Sequence, residues 1–191
     1  MLLLWAVGLG LLIGFLRRGS LTNLGRLNLR GFWLILMALL IQLLIFPLGP
    51  REPIIRVGTP YLHLLSYLFL LAFTWLNRRH LELLIMGAGL ALNFLVIAAN
   101  GGYMPASAEA LRRAGLEGVA KVLEQGLPHG NVILMTPETR LNPLGDRLYL
   151  PEGVPLANAF SIGDLVLGLG LMLLLARRMA NSSTQPIDHK H

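Results

Sequence analysis

The sequence predicts an all-α integral membrane protein of five transmembrane helices, with a small α/β cap outside the membrane between the fourth and the fifth. Composition is the first sign: of 191 residues 54% are hydrophobic and 14% charged, where soluble domains carry about 25% charged residues, and the mean hydropathy is +0.63. The second is recurrence. Apolar runs stand at 1–16, 31–48, 61–76, 81–99 and 159–176, each covering roughly 24 to 29 Å at the helical rise, close to the hydrocarbon thickness. The third is charge placement. Arg17, Arg18, Arg26, Arg30, Arg78, Arg79, Arg177 and Arg178 all fall on one side of an alternating five-span path, and basic residues favour the cytoplasmic side.

The first helix has no basic segment before its apolar core, and its charges follow it, so it reads as a retained span with its N-terminus outside rather than a signal peptide. The second, third and fourth spans follow with short connections, one of them carrying Arg51, Glu52 and Arg56 on the outer side. The polar tail 179–191 is then cytoplasmic, and the whole chain 1–191 is one polytopic domain. Between the fourth and fifth spans lies the extracytoplasmic cap, 100–158, a connection too long to be a mere hairpin. Ser107 is placed to cap a helix running to about Gln125, ended by Gly126 and Pro128. Residues 131–135 and 147–150 read as short strands between prolines.

The net charge of +6 follows from the cytoplasmic ends of the spans and does not form a basic face with aromatics, so no nucleic-acid partner is expected. The absence of cysteine excludes disulfides and thiolate ligation by this chain. His63 has no second histidine at matching depth in another span, there is no P-loop, dinucleotide fingerprint or zinc-protease motif, and no cofactor or metal is expected. The glycines Gly10, Gly14, Gly87, Gly89, Gly163, Gly168 and Gly170 favour close helix approach in lipid. Gln42, His63, Asn93, Asn100 and Asp164 fall toward the outer ends of their spans, where they are placed for interhelical hydrogen bonds or for one shared polar pocket. Glu82, four residues after Arg78, is expected to pair with it on a helix surface.

Three segments hold the candidate chemistry: Asn100-Gly101-Gly102-Tyr103, Asn142-Pro143-Leu144-Gly145-Asp146-Arg147 and Phe160-Ser161-Ile162-Gly163-Asp164. A carboxylate at a span end is costly unless paired, which singles out Asp164. Two acids near a membrane surface suit an aspartyl dyad, one carboxylate acting as base on water and the other, protonated, as acid. A structural reading stands beside it. Ser161-x-x-Asp164 has the form of a capping box, and Asp146 beside Arg147 is a turn acid with a salt-bridge partner at hand.

These segments resemble, across nearly the whole chain, a bacterial family of five-span membrane proteins with no assigned function, and the resemblance implies the fold and the bacterial cytoplasmic membrane. A second, local resemblance is to lipoprotein signal peptidase, an aspartyl protease with one catalytic acid after a turn and another in a Phe-Asn-x-Ala-Asp segment opening its last span. Asp146, Asp164, Phe160 and Gly170 fall at similar spacing. Ser161 and Gly163 depart from the pattern, and the Gly-Asn-x-x-Asp-Arg signature is missing. That resemblance implies Asp146 and Asp164 as catalytic residues and Asn100 as a substrate-orienting amide. His129, Arg147, Gly101, Gly102 and Ser161 are further candidates for binding. The first expectation for function is a non-enzymatic membrane subunit that binds a protein or lipid partner through its cap. An intramembrane aspartyl hydrolase is the alternative, and a carrier for a small solute or proton a further one.

Overall fold

The computed structural model describes residues 2–46, 54–55 and 57–180. It is mostly helical with few short strands. Five long helices, α1 (Leu2–Leu16), α2 (Phe32–Ile45), α3 (Thr59–Leu76), α4 (Leu81–Ala99) and α7 (Ile162–Ala180), form the body. Two of them, α3 and α4, are long and apolar enough to cross a membrane; α7 has the length but carries Asp164, Arg177 and Arg178. The first four match the expected runs, although 47–48 at the end of the second run and 181–191 of the tail lie outside the described residues. The fifth run differs at both ends. Ala159 and Phe160 belong to a strand, and the helix continues to Ala180.

α7 lies between α1 and α4, and α3 lies between α4 and α2. Glycines set the two closest interfaces. A Cβ at Gly10 would sit 2.9 Å from Leu175 Cβ, and one at Gly14 would sit 2.7 Å from Met179 Sδ, across α1 and α7. Across α4 and α7, a Cβ at Gly89 would meet the Gly163 carbonyl and the Leu167 amide, and one at Gly163 would meet Asn93 Oδ1. Backbone cannot yield as a flexible side chain can, so Gly89→Val is expected to cost about 3 kcal/mol or more by overpacking, read as a lowered Tm of the purified protein. An unchanged Tm would show that the two helices do not meet there.

The end remote from the cap is tied by side chains that join segments distant in the sequence. Asn77 Nδ2 donates to the Arg30 carbonyl and the Arg30 N–H donates to Asn77 Oδ1, both at 2.8 Å. Asn23 Nδ2 donates to the Met179 carbonyl at 2.7 Å. Glu82 is buried there and meets Arg178 at 3.1 Å and Arg177 at 3.4 Å. The expected partner Arg78 instead lies over the Trp75 ring and donates to the Trp75 carbonyl. The sequence reading failed here because Glu82 faces inward onto α7, which helical spacing along α4 alone does not reveal.

The cap holds four strands and two short helices. β1 (Met104–Ala106) pairs in parallel with β2 (Val132–Leu134), and β3 (Leu148–Leu150) pairs antiparallel with β4 (Asn158–Phe160). β1 and β4 are not among the strands expected from the sequence: each is three residues long, β1 contains Pro105 and lies in the cap segment after the fourth run, and Ala159 and Phe160 of β4 fall within the expected fifth run. The expected helix from Ser107 is two helices, α5 (Ala108–Arg113) and α6 (Glu117–Glu124). Gly115, at φ +74°, ends the first. The Leu116 N–H donates to the Leu111 carbonyl and the Gly115 N–H to that of Arg112, the paired bonds of a Schellman stop. Ala106, Ala110, Leu111, Ala120, Leu123 and Ala159 form the core of the cap.

Candidate functional site

Asp164 occupies the first turn of α7, where unpaired amides favour an acid. Its N–H donates to Ser161 Oγ at 2.9 Å, and the Ser161 N–H donates to Asp164 Oδ2 at 3.1 Å, closing a capping box. Asn93 of α4 completes the cluster. Its Nδ2 donates to Asp164 Oδ1 at 2.7 Å, and its Oδ1 accepts from Ser161 Oγ at 2.7 Å. Both oxygens of Asp164 thus accept hydrogen bonds, the pattern of a carboxylate, and the α4–α7 glycine contact brings the two helices close enough for this.

Asp146 arrives from the opposite direction. A 3-10 turn at Asn142–Leu144 leads into Gly145, where a Cβ would sit 2.6 Å from the Pro105 carbonyl. The Asp146 N–H then donates to that carbonyl at 2.9 Å, and its own carbonyl accepts from Ser107 N–H at 2.9 Å, so Asp146 lies in parallel register beside Ala106. The backbone is fully used; the side chain is not. Oδ1 of Asp146 is buried and has no hydrogen-bond partner among the described residues. Burial, reinforced by the negative charge of Asp164, pushes the Asp146 carboxyl up to about 7. The two acids therefore lie close enough to feel one another yet sit in unlike settings, one held by three donors and acceptors around it and one stranded in the cap.

Both acids line one cavity of about 430 Å³, walled by Leu2 and Leu3 of α1 and by Leu111, Leu116 and Val119 of the cap helices. His129, Asn131 and Asn158 also face it, and Tyr67 of α3 lies near both acids and Asn93. Asn131, Asn158 and Tyr67 were not singled out from the sequence. Asn131 directly precedes β2, Asn158 opens β4, a strand the sequence does not announce, and Tyr67 is an ordinary aromatic in an apolar run.

The other candidates are placed elsewhere. Asn100 does not line the cavity. Its Nδ2 donates to the Val96 and Arg140 carbonyls, both at 2.8 Å, and its Oδ1 accepts from Arg140 N–H at 2.8 Å, which pins the cap to the end of α4. Every polar atom of the side chain is engaged in that tie, and the role of substrate-orienting amide has no free group there. Gly101 and Gly102 form the turn after it at φ +67° and +97°. A Cβ at Gly102 would collide with Pro60, and the Gly102 carbonyl accepts from His63 Nδ1 at 2.9 Å. Arg147 is exposed and lies outside the cavity wall. The expected convergence of outer polar groups is partial: Asn93, Ser161 and Asp164 meet, whereas Gln42 donates to Ser66, and Ser66 to the His63 carbonyl, in a separate chain. Among the described residues no group of three histidine, aspartate or glutamate side chains stands close enough to hold a metal.

No curated protein and no solved structure matches the chain. A family model described as a family of unknown function, DUF5317, matches residues 26–176, a stretch that includes both acids, the cap and most of the long helices. The chain belongs to the DUF5317 family.

Proposed function

We propose that this is a five-span integral protein of the bacterial cytoplasmic membrane, N-terminus outside and C-terminus inside, that hydrolyses a carbonyl bond with Asp146 and Asp164 as an acid–base pair. The membrane part is supported by the helix directions. α1, α3 and α7 start at the cap and α2 and α4 end there, with Arg17, Arg18, Arg30, Arg78, Arg79, Arg177 and Arg178 at the opposite end, the charge asymmetry of a cytoplasmic face. Large apolar side chains such as Leu4, Leu12, Leu36 and Leu40 are exposed, as lipid-facing residues are.

The observation that carries the chemistry is the pair itself: two acids on one cavity, with Asp164 held by donors and Asp146 presenting a buried Oδ1 that has no hydrogen-bond partner among the described residues. Such unlike settings suit one acid to accept a proton and the other to donate one. Asp164 takes a proton from water as the water oxygen bonds to the carbonyl carbon, and Asp146 gives its proton to the carbonyl oxygen. The tetrahedral adduct collapses when its C–O hydroxyl proton returns to Asp146 and the leaving group takes the proton from Asp164. The products are a carboxylic acid and an amine or alcohol. Asn93 and Ser161 hold Asp164 in place.

The test is isotopic. Purified protein incubated in ¹⁸O water with membranes from its source should release a product carrying one ¹⁸O in a new carboxyl group. No labelled product above that of an Asp146→Asn, Asp164→Asn double variant would remove the hydrolytic reading. A non-enzymatic subunit is the second reading. It is favoured by the capping box, since both oxygens of Asp164 are already bonded within the protein, and it predicts a stable complex with a membrane protein or lipid that survives both substitutions.

A further inference from the structure

The cations of the cap helices are turned outward. Arg112 meets Glu117 at 3.3 Å and Glu124 at 2.6 Å, Arg113 meets Glu109 at 2.7 Å, and Lys121 meets Glu117 at 3.9 Å, all between exposed side chains. The described wall of the cavity that holds Asp146 and Asp164 has neither lysine nor arginine, and its one histidine, His129, is exposed. The two carboxyls therefore share one space with no permanently charged cationic side chain among its described residues.

Hydrogen bonds alone do not replace the missing counter-charge. At Asp164 the Asn93 amide and the Ser161 N–H fill one position on each oxygen, and a carboxylate oxygen accepts a second bond. Asp146 lacks even these donors: its Oδ1 is buried without a partner among the described residues. A buried carboxylate is costly unless it is both paired and hydrogen-bonded, so the cavity is complementary to a ligand that brings positive charge and N–H donors together.

The rest of the wall narrows the kind of cation. Asn131 and Asn158 line the same space as Asp146, and their amide oxygens with that carboxylate make three acceptor groups, enough for the three N–H donors of a primary ammonium. Phe160 is the one aromatic ring in the described wall, too few for the cage of rings that takes a quaternary ammonium. A metal ion has no close group of three acidic or histidine ligands among the described residues, and it would leave the apolar side of Leu111, Leu116 and Val119 unused. The volume of about 430 Å³ is in the range of small-ligand pockets. We infer that this cavity binds a small primary organic ammonium, its charge held by Asp146 and Asp164 and its hydrocarbon body set against Leu111, Leu116 and Val119. The site rests on the cavity wall alone. Its consequence rests on the hydrolytic reading: an Asp146 paired with the cation stays ionised and cannot protonate a carbonyl oxygen, so the bound ammonium is an inhibitor.

The experiment is calorimetric titration of n-butylamine hydrochloride, at pH 8, into the full chain in phosphatidylcholine nanodiscs, with empty nanodiscs as the blank. The amine is protonated at that pH and has no carbonyl to be hydrolysed. One saturable site is expected, absent for n-butanol, n-butyrate and n-butyltrimethylammonium. Asp146→Asn should raise the Kd at least about ten-fold, the loss of about 1.4 kcal/mol. Val119→Lys sets an ammonium on the wall from within and should abolish binding. Should neither variant fold, the comparison of the four ligands on the wild type still decides. Heat that does not saturate, that n-butanol or n-butyltrimethylammonium reproduces, or that is unchanged in either folded variant overturns the inference. The two proposals fail separately. Butylammonium bound by a wild type that hydrolyses nothing counts against the catalytic reading alone, and hydrolysis by a wild type that does not bind it counts against the ammonium site alone.

Discussion

Asp146→Asn is expected to lower hydrolysis by at least about 100-fold, the range that a positioned acid or base contributes, and at the same time to make the protein more stable at pH 8. The two effects have one cause. The Asp146 carboxyl has an ordinary value of 3.8 and is raised to about 7 in the fold by burial and then by the charge of Asp164. Between those values the folded state holds a proton that the unfolded chain has released, so the unfolded state binds fewer protons and stability falls as pH rises. The stability is fully present below about pH 4 and is lost as pH passes through about 7, amounting to on the order of 4 kcal/mol at about 1.4 kcal/mol per pKa unit. Asparagine keeps the shape and cannot ionise. Thermal unfolding of wild type and variant across pH 4 to 8 should therefore diverge, the wild type losing stability that Asp146→Asn retains. Parallel curves, or a variant less stable at pH 8, would contradict a carboxyl raised by desolvation.

The second large effect lies at the other end of the bundle. Glu82 is buried and held by Arg178, itself half-buried, and by the exposed Arg177. Arg178→Met removes the closer, better shielded partner and leaves a buried carboxylate facing one solvated guanidinium, for which a loss of about 3 to 5 kcal/mol is expected. Arg78→Ala, at the residue that helical spacing suggests as the partner, should change stability by no more than about 0.5 kcal/mol. Chemical or thermal unfolding in the same detergent compares them. Equal losses from the two substitutions would mean that α4 and α7 do not share this pair.

Glu82 and Asn100 mark the limits of the sequence reading. The long helices were legible because apolar runs of that length have few alternatives, and the boundaries at 81–99 coincide with α4. The packing glycines were legible for the same reason: few residue types permit such contact. Strands β1 and β4 were not, since three residues carry no period of their own, and β1 pairs with Val132–Leu134, far along the chain. The break at Gly115 was readable in principle, because a glycine after Arg112-Arg113-Ala114 is a helix stop, but the apolar residues on both sides suggested one continuous face. At the site, the capping box at Ser161 and Asp164 was written in the local sequence. That Asn93 would bridge them, that Asp146 would lie beside Ala106 with its carboxyl stranded, and that Asn131 and Asn158 would face the same cavity depend on tertiary placement.

The unlike settings of the two acids in one cavity are open to direct measurement. Carboxyl-¹³C aspartate labelling, with Asp146 assigned by its loss in Asp146→Asn, would follow the titration of that side chain directly. The prediction is a midpoint near 7 in the wild type, moving down in Asp164→Asn as the neighbouring negative charge is removed. A midpoint near the ordinary 3.8, indifferent to Asp164→Asn, would contradict it and leave Asp146 a turn residue.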